Sequence, residues 1–354
     1  MNKKTIAVLF GGHSPEYEVS LKSAFAVMSN MNRERYEIIP VGITRDGRWM
    51  RYSGDYESIK NDTWHEKEEK CVPACISPDR EVHGLVEFFG DVVSKVRIDM
   101  VFPVLHGSLG EDGTVQGLAE LAGIPVIGCG TLSSALCMDK ELADRIVESV
   151  GVETPWFITA RKGEPVEKAV KAAEKLAYPL YVKPVRAGSS FGVSRIEEPG
   201  EMEKALEKAF EHDSRAIIEE NVEGAEVGCS IIGNHRLILG RADEIELDNV
   251  LFDYNEKYTQ KHTTIHMPAR VDSETEKRIL ETAEKIYRAL DCSGFARVDM
   301  FLTPEGRILF NEVNTIPGLT ELSRYPRMLE GKGISFERML ELMVEAGEEN
   351  EKEK

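Results

Sequence analysis

The chain has 354 residues, with 44 Lys and Arg against 62 Asp and Glu and a formal net charge of −18 at pH 7. This length suggests about two or three domains, and the negative charge would repel a nucleic-acid backbone or an anionic membrane, so we expect neither as a partner. Because no apolar run approaches the ~20 residues that span a bilayer, the sequence indicates a cytoplasmic protein.

The N-terminal third carries the pattern of an α/β sheet. Residues 5–10 are β-branched and apolar, a glycine pair follows at Gly11 and Gly12, and a helical pattern continues through Met31. Further apolar runs alternate with helical stretches, at 38–43, 100–105 and 124–127. This order predicts a parallel, Rossmann-like N-terminal domain over residues 1–128, with a polar β-ribbon inserted at 46–95.

A cluster in that insertion raises the alternative of a zinc site. His65, Cys71, Cys75 and His83 lie close together in the sequence, and zinc is bound by histidine and cysteine. Their spacing, H-x5-C-x3-C-x7-H, matches none of the usual zinc-finger patterns. We therefore favour a ribbon without metal and keep zinc as the alternative.

Two more domains and a tail follow. Residues 129–218 predict a central α+β domain, and residues 219–346 a strand-rich C-terminal domain with a long polar loop at 248–264. The central elements are helices at 138–150 and 164–177 and strands at 180–183 and 192–196. Apolar side chains at helical spacing from Ile279 to Leu290 predict one amphipathic helix. The acidic residues 347–354 can bury nothing, so we expect a disordered tail.

The segment from Arg297 to Asn314 predicts a metal-binding hairpin. A Pro-Glu-Gly turn separates two apolar runs, and a turn centred on Pro304 and Glu305 would place Arg297 opposite Glu312. Strand alternation then puts four polar side chains on one face, those of Arg297, Asp299, Glu312 and Asn314. Two carboxylates and an amide oxygen suit Mg²⁺. A solvated cross-strand ion pair is the alternative.

Two further segments suit a nucleotide. Lys183 ends a strand and precedes a loop rich in glycine and serine, whose backbone N–H groups could surround a phosphate; an ordinary hairpin loop is the alternative. The acidic run from Glu219 to Glu226 follows a strand and could offer backbone groups to a base and a carboxylate to a ribose, or be only a solvated face.

Seven motifs together resemble the D-alanine:D-alanine ligase family of the ATP-grasp superfamily over residues 4 to about 340. In chain order they are GGHSPEYEVS, LHGSLGEDGTVQG, SSALCMDK, YVKPVRAGSSFG, DYNEKY, ARVDMFL and NEVNTIPGLT. The resemblance implies a three-domain ATP-grasp fold, combining α/β and α+β domains, with ATP held between the central and C-terminal domains. It also implies an enzyme that activates D-alanine as an acyl phosphate and joins it to a second D-amino acid.

The resemblance assigns a role to each matching position. Lys140 and Lys183 match phosphate-binding lysines, and Lys257 a loop lysine for the γ-phosphate. Glu219, the backbone around Glu220 and Val222, and Glu226 match adenine and ribose contacts. Asp299, Glu312 and Asn314 match a two-magnesium site. Glu16, His106 and Glu111 match the site of the first D-alanine; Ser189 and Tyr258 match a pair closing two mobile loops, 186–192 and 248–264; Arg297 and the backbone N–H of Gly318 match the oxyanion donors.

Departures from the pattern point to D-serine as the second substrate. The plain ligases usually carry Glu where this chain has Ala187, and an aliphatic residue where it has Arg324, next to Ser323. These positions and the segment KYTQKHTTIHMPAR resemble the D-alanine:D-serine ligases of vancomycin resistance. Tyr258 argues against a D-lactate-using enzyme. The alternative for Arg324 is a surface arginine beside Glu321 with no role in substrate binding.

Other functions remain open. A housekeeping D-alanine:D-alanine ligase is one alternative, and a nucleotide-binding protein without catalysis is a remote one. A nicotinamide oxidoreductase is disfavoured because the G-x-G-x-x-G motif is absent. The family resemblance also implies a homodimer, and a role in peptidoglycan precursor synthesis or glycopeptide resistance.

Overall fold

The computed structural model describes residues 3–247 and 263–353. Its first sheet has seven strands in the order β6-β5-β4-β3-β2-β1-β7. They are β1 (Lys4–Gly11), β2 (Tyr36–Ile43), β3 (Trp49–Tyr52), β4 (Cys71–Ile76), β5 (Gly84–Phe89), β6 (Val92–Arg97) and β7 (Met100–Pro103). The helices of this part are α1 (Tyr17–Asn30), α2 (Tyr56–Lys60) and α3 (Thr114–Ala122).

This first sheet is mixed rather than wholly parallel. Strand β1 pairs in parallel with β2 and β7, as the Rossmann-like pattern predicts. The inserted ribbon supplies β3 to β6, which pair antiparallel and extend the sheet from β2. The strand predicted at 124–127 is only an isolated parallel bridge between Val101 and Val126.

The second sheet is antiparallel, with the order β10-β9-β11-β8. Its strands are β8 (Phe157–Arg161), β9 (Leu180–Pro184), β10 (Ser194–Ile196) and β11 (Arg215–Glu220). The helices around it are α4 (Thr131–Met138), α5 (Lys140–Ser149), α6 (Val166–Ala173) and α7 (Met202–Ala209). The helix predicted at 138–150 begins two residues late because Asp139 caps α5, accepting a hydrogen bond from Leu142 N at 3.2 Å. The domain boundary predicted after 218 falls inside β11.

The third sheet has the order β15-β14-β12-β16-β17, with β13 paired to β12. Its strands are β12 (Ala225–Gly233), β13 (Leu237–Leu239), β14 (Asp243–Leu247), β15 (Thr263–His266), β16 (Phe295–Leu302) and β17 (Ile308–Asn314). The helices are α8 (Ser273–Ala289), α9 (Arg324–Glu330) and α10 (Phe336–Glu353). The predicted amphipathic helix is α8, which buries Ile279, Ala283 and Ile286 at helical spacing.

The disordered tail expected at 347–354 is wrong for the described residues, because α10 continues to Glu353. Gly347 is buried, and its missing side chain lets the helix approach Met100 and Ile127 closely. Glu348 forms an ion pair with Lys4 at 2.8 Å. An acidic helix end with no apolar side chain is therefore held against the first sheet.

A shared apolar core joins the first and third sheets. Phe102 of β7 contacts Phe295 of β16 edge to face, with ring centroids 6.1 Å apart, and Phe295 lies 6.0 Å from Tyr325 of α9. In the described part of the chain, no helix is long and apolar enough to cross a membrane. The shared core fixes the ends of β7 and β16 near each other, which is where the polar side chains below converge.

Candidate active site

The β16–β17 hairpin places the predicted metal ligands together, by a register other than the predicted one. Leu302 pairs with Ile308, which centres the turn on Glu305, and a β-bulge shifts the register again between Asp299 and Met300. Arg297 therefore lies opposite Asn314, and Asp299 opposite Glu312. The predicted pairing of Arg297 with Glu312 is wrong. The shared face survives because two offsets of one residue restore the alternation of side chains.

These side chains form one hydrogen-bonded group. The Arg297 guanidinium donates to Asp299, the shortest contact being Nη2 to Oδ2 at 2.7 Å. Asn314 Nδ2 donates to Asp299 Oδ2 at 2.9 Å and to Glu312 Oε1 at 3.5 Å. Asp299 has no solvent exposure. A buried carboxylate surrounded by donors is ordered before any substrate binds.

Asp299, Glu312 and Asn314 supply only part of the coordination that a hard divalent cation needs. Two carboxylates and an amide converge, which is the oxygen chemistry that Mg²⁺ takes when substrate phosphates complete its coordination. Among residues 3–247 and 263–353, no group of three or more His, Cys, Asp or Glu side chains could hold a metal ion. A cation here would thus need the Asn314 amide and oxygens from a bound phosphate. The candidate zinc ligand His65 instead faces Asp62 at 3.4 Å.

A cavity of about 400 Å³ lies between the second and third sheets, next to this hairpin. Every predicted nucleotide residue in the described chain lines it: Lys140, Lys183, Glu219, Glu220, Val222 and Glu226, with the metal candidate Glu312. Its volume falls in the range of small-molecule sites. Aromatic walls come from Tyr181, Phe191 and Phe301. The cavity therefore offers flat apolar surfaces at one part and paired charges at another.

The charged part of the cavity is organised around Lys183. Its ammonium donates to the Glu219 carboxylate. Although burial lowers the pKa of Lys183, the neighbouring carboxylates of Glu219, Glu312 and Asp144 raise it overall, so the lysine stays cationic. Burial, and then the charge of Glu219, raise the pKa of Asp144 to about 8. Lys140 Nζ donates to the carbonyl of Ala187 at 2.8 Å, in the glycine- and serine-rich loop.

That loop reaches the N-terminal helix through a contact between two side chains. The Ser189 hydroxyl donates to Glu16 Oε1, a contact between residues far apart in the chain. Ser189 and Ser190 have φ of 48° and 58°, a left-handed conformation that costs a non-glycine residue about 1–2 kcal/mol. The loop holds this conformation while it lies over Glu16 and the cavity.

The predicted residues of the first substrate site lie at the joint between the first and third sheets. His106 Nδ1 donates to the carbonyl of Ile316 at 2.9 Å, and the Glu111 carboxylate accepts from Ile316 N at 3.3 Å and from Gly107 N at 2.7 Å. Burial, with Arg297 nearby, lowers the pKa of His106 to about 4. Burial and the charge of Glu16 raise the pKa of Glu111 to about 8.

Arg324 is buried, which corrects the alternative of a surface arginine beside Glu321. It is 8% exposed. Its Nε and Nη2 donate to Asp243 at 2.7 and 2.8 Å, and its Nη1 to Glu226 at 3.0 Å. Its Nη2 also lies 3.2 Å from Asp299 Oδ1. Each guanidinium nitrogen thus has a carboxylate partner, and four of the five N–H donors of Arg324 face carboxylates.

Sequence models of a single family cover nearly the whole chain. The N-terminus of D-ala D-ala ligase matches residues 5–129, and its C-terminus matches residues 146–345. The chain belongs to the D-ala D-ala ligase family. The three-sheet architecture is the ATP-grasp fold of that family, and the chain is an ATP-dependent ligase.

Relatives of this ligase family differ in what their names describe. The vancomycin/teicoplanin A-type resistance protein VanA of Enterococcus faecium is 41% identical over 97% of this chain and 98% of its own. A D-alanine–D-alanine ligase of Caldicellulosiruptor bescii is 38% identical, over 100% of this chain and 98% of its own. The crystal structure of the VanG D-Ala:D-Ser ligase from Enterococcus faecalis is 54% identical with a TM-score of 0.92, covering 98% of this chain and 100% of that one.

Some ligase-site residues were not predicted from the sequence. Arg270, Glu244 and Glu246 line the cavity, where Arg270 Nη2 donates to Glu244 at 2.7 Å and Nη1 pairs with Glu246 at 2.9 Å. Asp243 was also missed. The sequence signal was alternation in the acidic run of β14, which could be used only once its pairing with β12 was known. Lys257 and Tyr258 lie outside the described residues.

Proposed function

We propose that the chain joins D-alanine to a second D-amino acid, D-serine in preference to D-alanine, after ATP phosphorylates the carboxylate of the first. The observation that carries this proposal is the convergence of three groups at one place. They are the lysine-lined cavity, the Asp299–Glu312–Asn314 face and the Glu16–His106–Glu111 cluster. They supply, in order, a nucleotide site, a charge-neutralising site and an acceptor for an amino-acid ammonium group.

Activation of the carboxylate is the first step. A carboxylate oxygen of D-alanine attacks the γ-phosphorus and ADP leaves, giving an acyl phosphate. Lys140 and Lys183 hold positive charge near the transferring group, and Lys257 is proposed to do so from its loop. Two Mg²⁺ ions, held by Asp299, Glu312 and Asn314, would neutralise further negative charge on the phosphates. Glu219, Glu220, Val222 and Glu226 are proposed to bind the adenosine part.

Attack by the second amine completes the bond. The amine adds to the acyl carbon, and the resulting oxyanion needs preorganised donors. When this intermediate collapses, the bond between the acyl carbon and the phosphate oxygen breaks, and inorganic phosphate leaves with a proton of the amine. Arg297, fixed by Asp299, and the N–H of Gly318 are proposed in that role. The acyl phosphate must be protected from water, so Ser189 and Tyr258 are proposed to close the two loops over it.

The preference for D-serine is supported by the 54% identity to a D-Ala:D-Ser ligase and by the small Ala187. Of Ser323 and Arg324, we place Ser323 at the end of the site that would bind the second substrate. A Cβ on Gly318 would lie 2.9 Å from Ser323 Oγ, so that hydroxyl lies beside the proposed oxyanion donor. A homodimer acting in the cytoplasm, in cell-wall precursor synthesis and glycopeptide resistance, is part of the same proposal.

Product analysis tests the proposal. Purified protein is incubated with ATP, Mg²⁺, D-alanine and an equimolar mixture of D-serine and D-lactate, and the products are separated by mass. We expect D-alanyl-D-serine to exceed D-alanyl-D-alanine. Equal amounts of the two dipeptides would favour the housekeeping alternative, and a dominant D-lactate product would contradict the amine acceptor. ATP binding with no product would favour a non-catalytic protein.

A further inference from the structure

The loop that carries Gly318 is bound at three backbone atoms by side chains of the N-terminal domain. Glu111 accepts from Ile316 N and His106 binds Ile316 O. The third contact comes from Ser23 of α1, whose hydroxyl lies 3.4 Å from Leu319 N and 3.2 Å from His106 Nε2. Ser23 and Leu319 have no solvent exposure. Contacts on both sides of Gly318 therefore fix its backbone.

These contacts form a series of hydrogen bonds from Ile316 O through His106 and Ser23 to Leu319 N, and the chemistry of the groups sets the direction of each one. A carbonyl oxygen only accepts, so His106 Nδ1 must carry a proton toward Ile316. The ring is neutral at pH 7 because burial lowers its pKa to about 4, which leaves Nε2 as an acceptor. The Ser23 hydroxyl then donates to Nε2, and its oxygen accepts from Leu319 N–H. Each donor in the series has one acceptor.

We infer that Ser23 is a positioning residue for the ligase reaction, acting through the loop that presents the Gly318 N–H. The inference rests on the proposed oxyanion role of Gly318. Ser23 does not touch the nucleotide cavity, so its effect should fall on the chemical step and not on ATP binding. A hydroxyl is required because the same oxygen must accept from an amide and donate to an imidazole.

Helix α1 provides a matched control for this inference. Ser20 lies one turn before Ser23 and also has no solvent exposure. It accepts from Gly11 N at 2.8 Å and donates to the carbonyl of Val104, at the ends of β1 and β7. Ser20→Ala therefore removes a buried hydroxyl of the same kind that makes no contact to the Gly318 loop.

The test compares Ser23→Ala, Ser23→Cys and Ser20→Ala by kinetics and by amide hydrogen exchange of residues 315–319. For Ser23→Ala we expect kcat to fall by at least about 10-fold through misplacement of the donor, an unchanged KM for ATP, and faster exchange in the loop. Ser23→Cys, which keeps a weaker donor, should recover part of kcat. Ser20→Ala should change neither the hydrogen exchange of residues 315–319 nor the ratio of kcat to the KM for ATP.

Equal kcat in the two alanine variants, or unchanged loop exchange in Ser23→Ala, would overturn the inference. If Ser23→Ala does not fold, nitrogen NMR of the wild-type protein tests the inference through the tautomer of His106. A proton on His106 Nε2 would contradict the proposed hydrogen bond from Ser23. If the wild-type protein forms no dipeptide, the proposed function fails, while loop exchange and the His106 tautomer still test the positioning of residues 315–319.

Discussion

Two loops lie beside the proposed active site, and they are held in different ways. The Gly318 loop is hydrogen-bonded to the N-terminal domain through Glu111, His106 and Ser23, and it includes the buried Leu319. The loop at 186–192 reaches the start of helix α1 through the Ser189–Glu16 contact, with two serines in a left-handed conformation. In the proposed reaction, this difference separates a preorganised part of the site, which would stabilise charge, from a part that would open for substrates.

The preorganised part should be the more sensitive to loss of a buried charge. Arg324→Leu leaves Asp243, which has no solvent exposure, without its partner. We expect the free energy of unfolding to fall by about 3–5 kcal/mol, and activity with D-serine and D-alanine to fall together. Arg327→Leu on the same helix is the control. Selective loss of D-serine activity in a stable Arg324→Leu protein would show instead that the arginine contacts the substrate hydroxyl.

The metal face tests the same part of the site by catalysis. Glu312→Gln keeps the shape of the side chain but weakens a ligand of the proposed magnesium site, so turnover should fall by at least ~100-fold with the fold intact. Glu321→Gln, an exposed carboxylate beyond Gly318, should have no effect. Activity near the wild-type level at saturating Mg²⁺ would remove Glu312 from the assignment.

The movable part should show a smaller loss of rate and a loss of coupling. Ser189→Ala removes the contact to Glu16, so the loop closes less well and water reaches the acyl phosphate. We expect kcat to fall by about 10-fold and more ATP to be hydrolysed per dipeptide; Tyr258→Ala should likewise raise that ratio. Ser194→Ala, in the strand after the loop, is the control. An unchanged ratio in both loop variants would mean that other contacts exclude water.

Glu111 gives an effect of another kind, a change in the pH dependence of stability. Its pKa is raised to about 8 in the folded chain by burial and by Glu16, against about 4.3 when unfolded. The folded state then binds more protons between these values, so its contribution to stability falls as pH rises through this window. Glu111→Gln should flatten the melting temperature between about pH 5 and pH 8. An equally steep decline in the variant would contradict the raised pKa.

The residues that share the metal face could be predicted from the sequence, whereas the side-chain contacts of Arg324 could not. The shared face of Asp299, Glu312 and Asn314 follows from strand alternation, which tolerates a register error of two residues. The partners of Arg324 could not be predicted, because they depend on Gly228 lying between Asp243 and Asp299 on neighbouring strands. The order of residues along the chain does not show which side chain fills the space over a glycine.

Long-range contacts explain the remaining differences. Ser23 and Leu319 are 296 positions apart, and no local pattern marks a serine in an amphipathic helix as a partner for such a distant loop. The helical tail has the same origin, since Gly347 is buried only because the first sheet lies against it. Composition alone indicated disorder there.

In the proposed reaction, a carboxylate is activated by phosphoryl transfer before the amine attacks. This step is tested most directly with D-alanine carrying oxygen-18 in both carboxylate oxygens, unlabelled ATP and D-serine. The acyl phosphate breaks between carbon and oxygen, so we predict that each inorganic phosphate released with dipeptide carries a single oxygen-18 from D-alanine. Dipeptide formed with unlabelled phosphate would contradict the account.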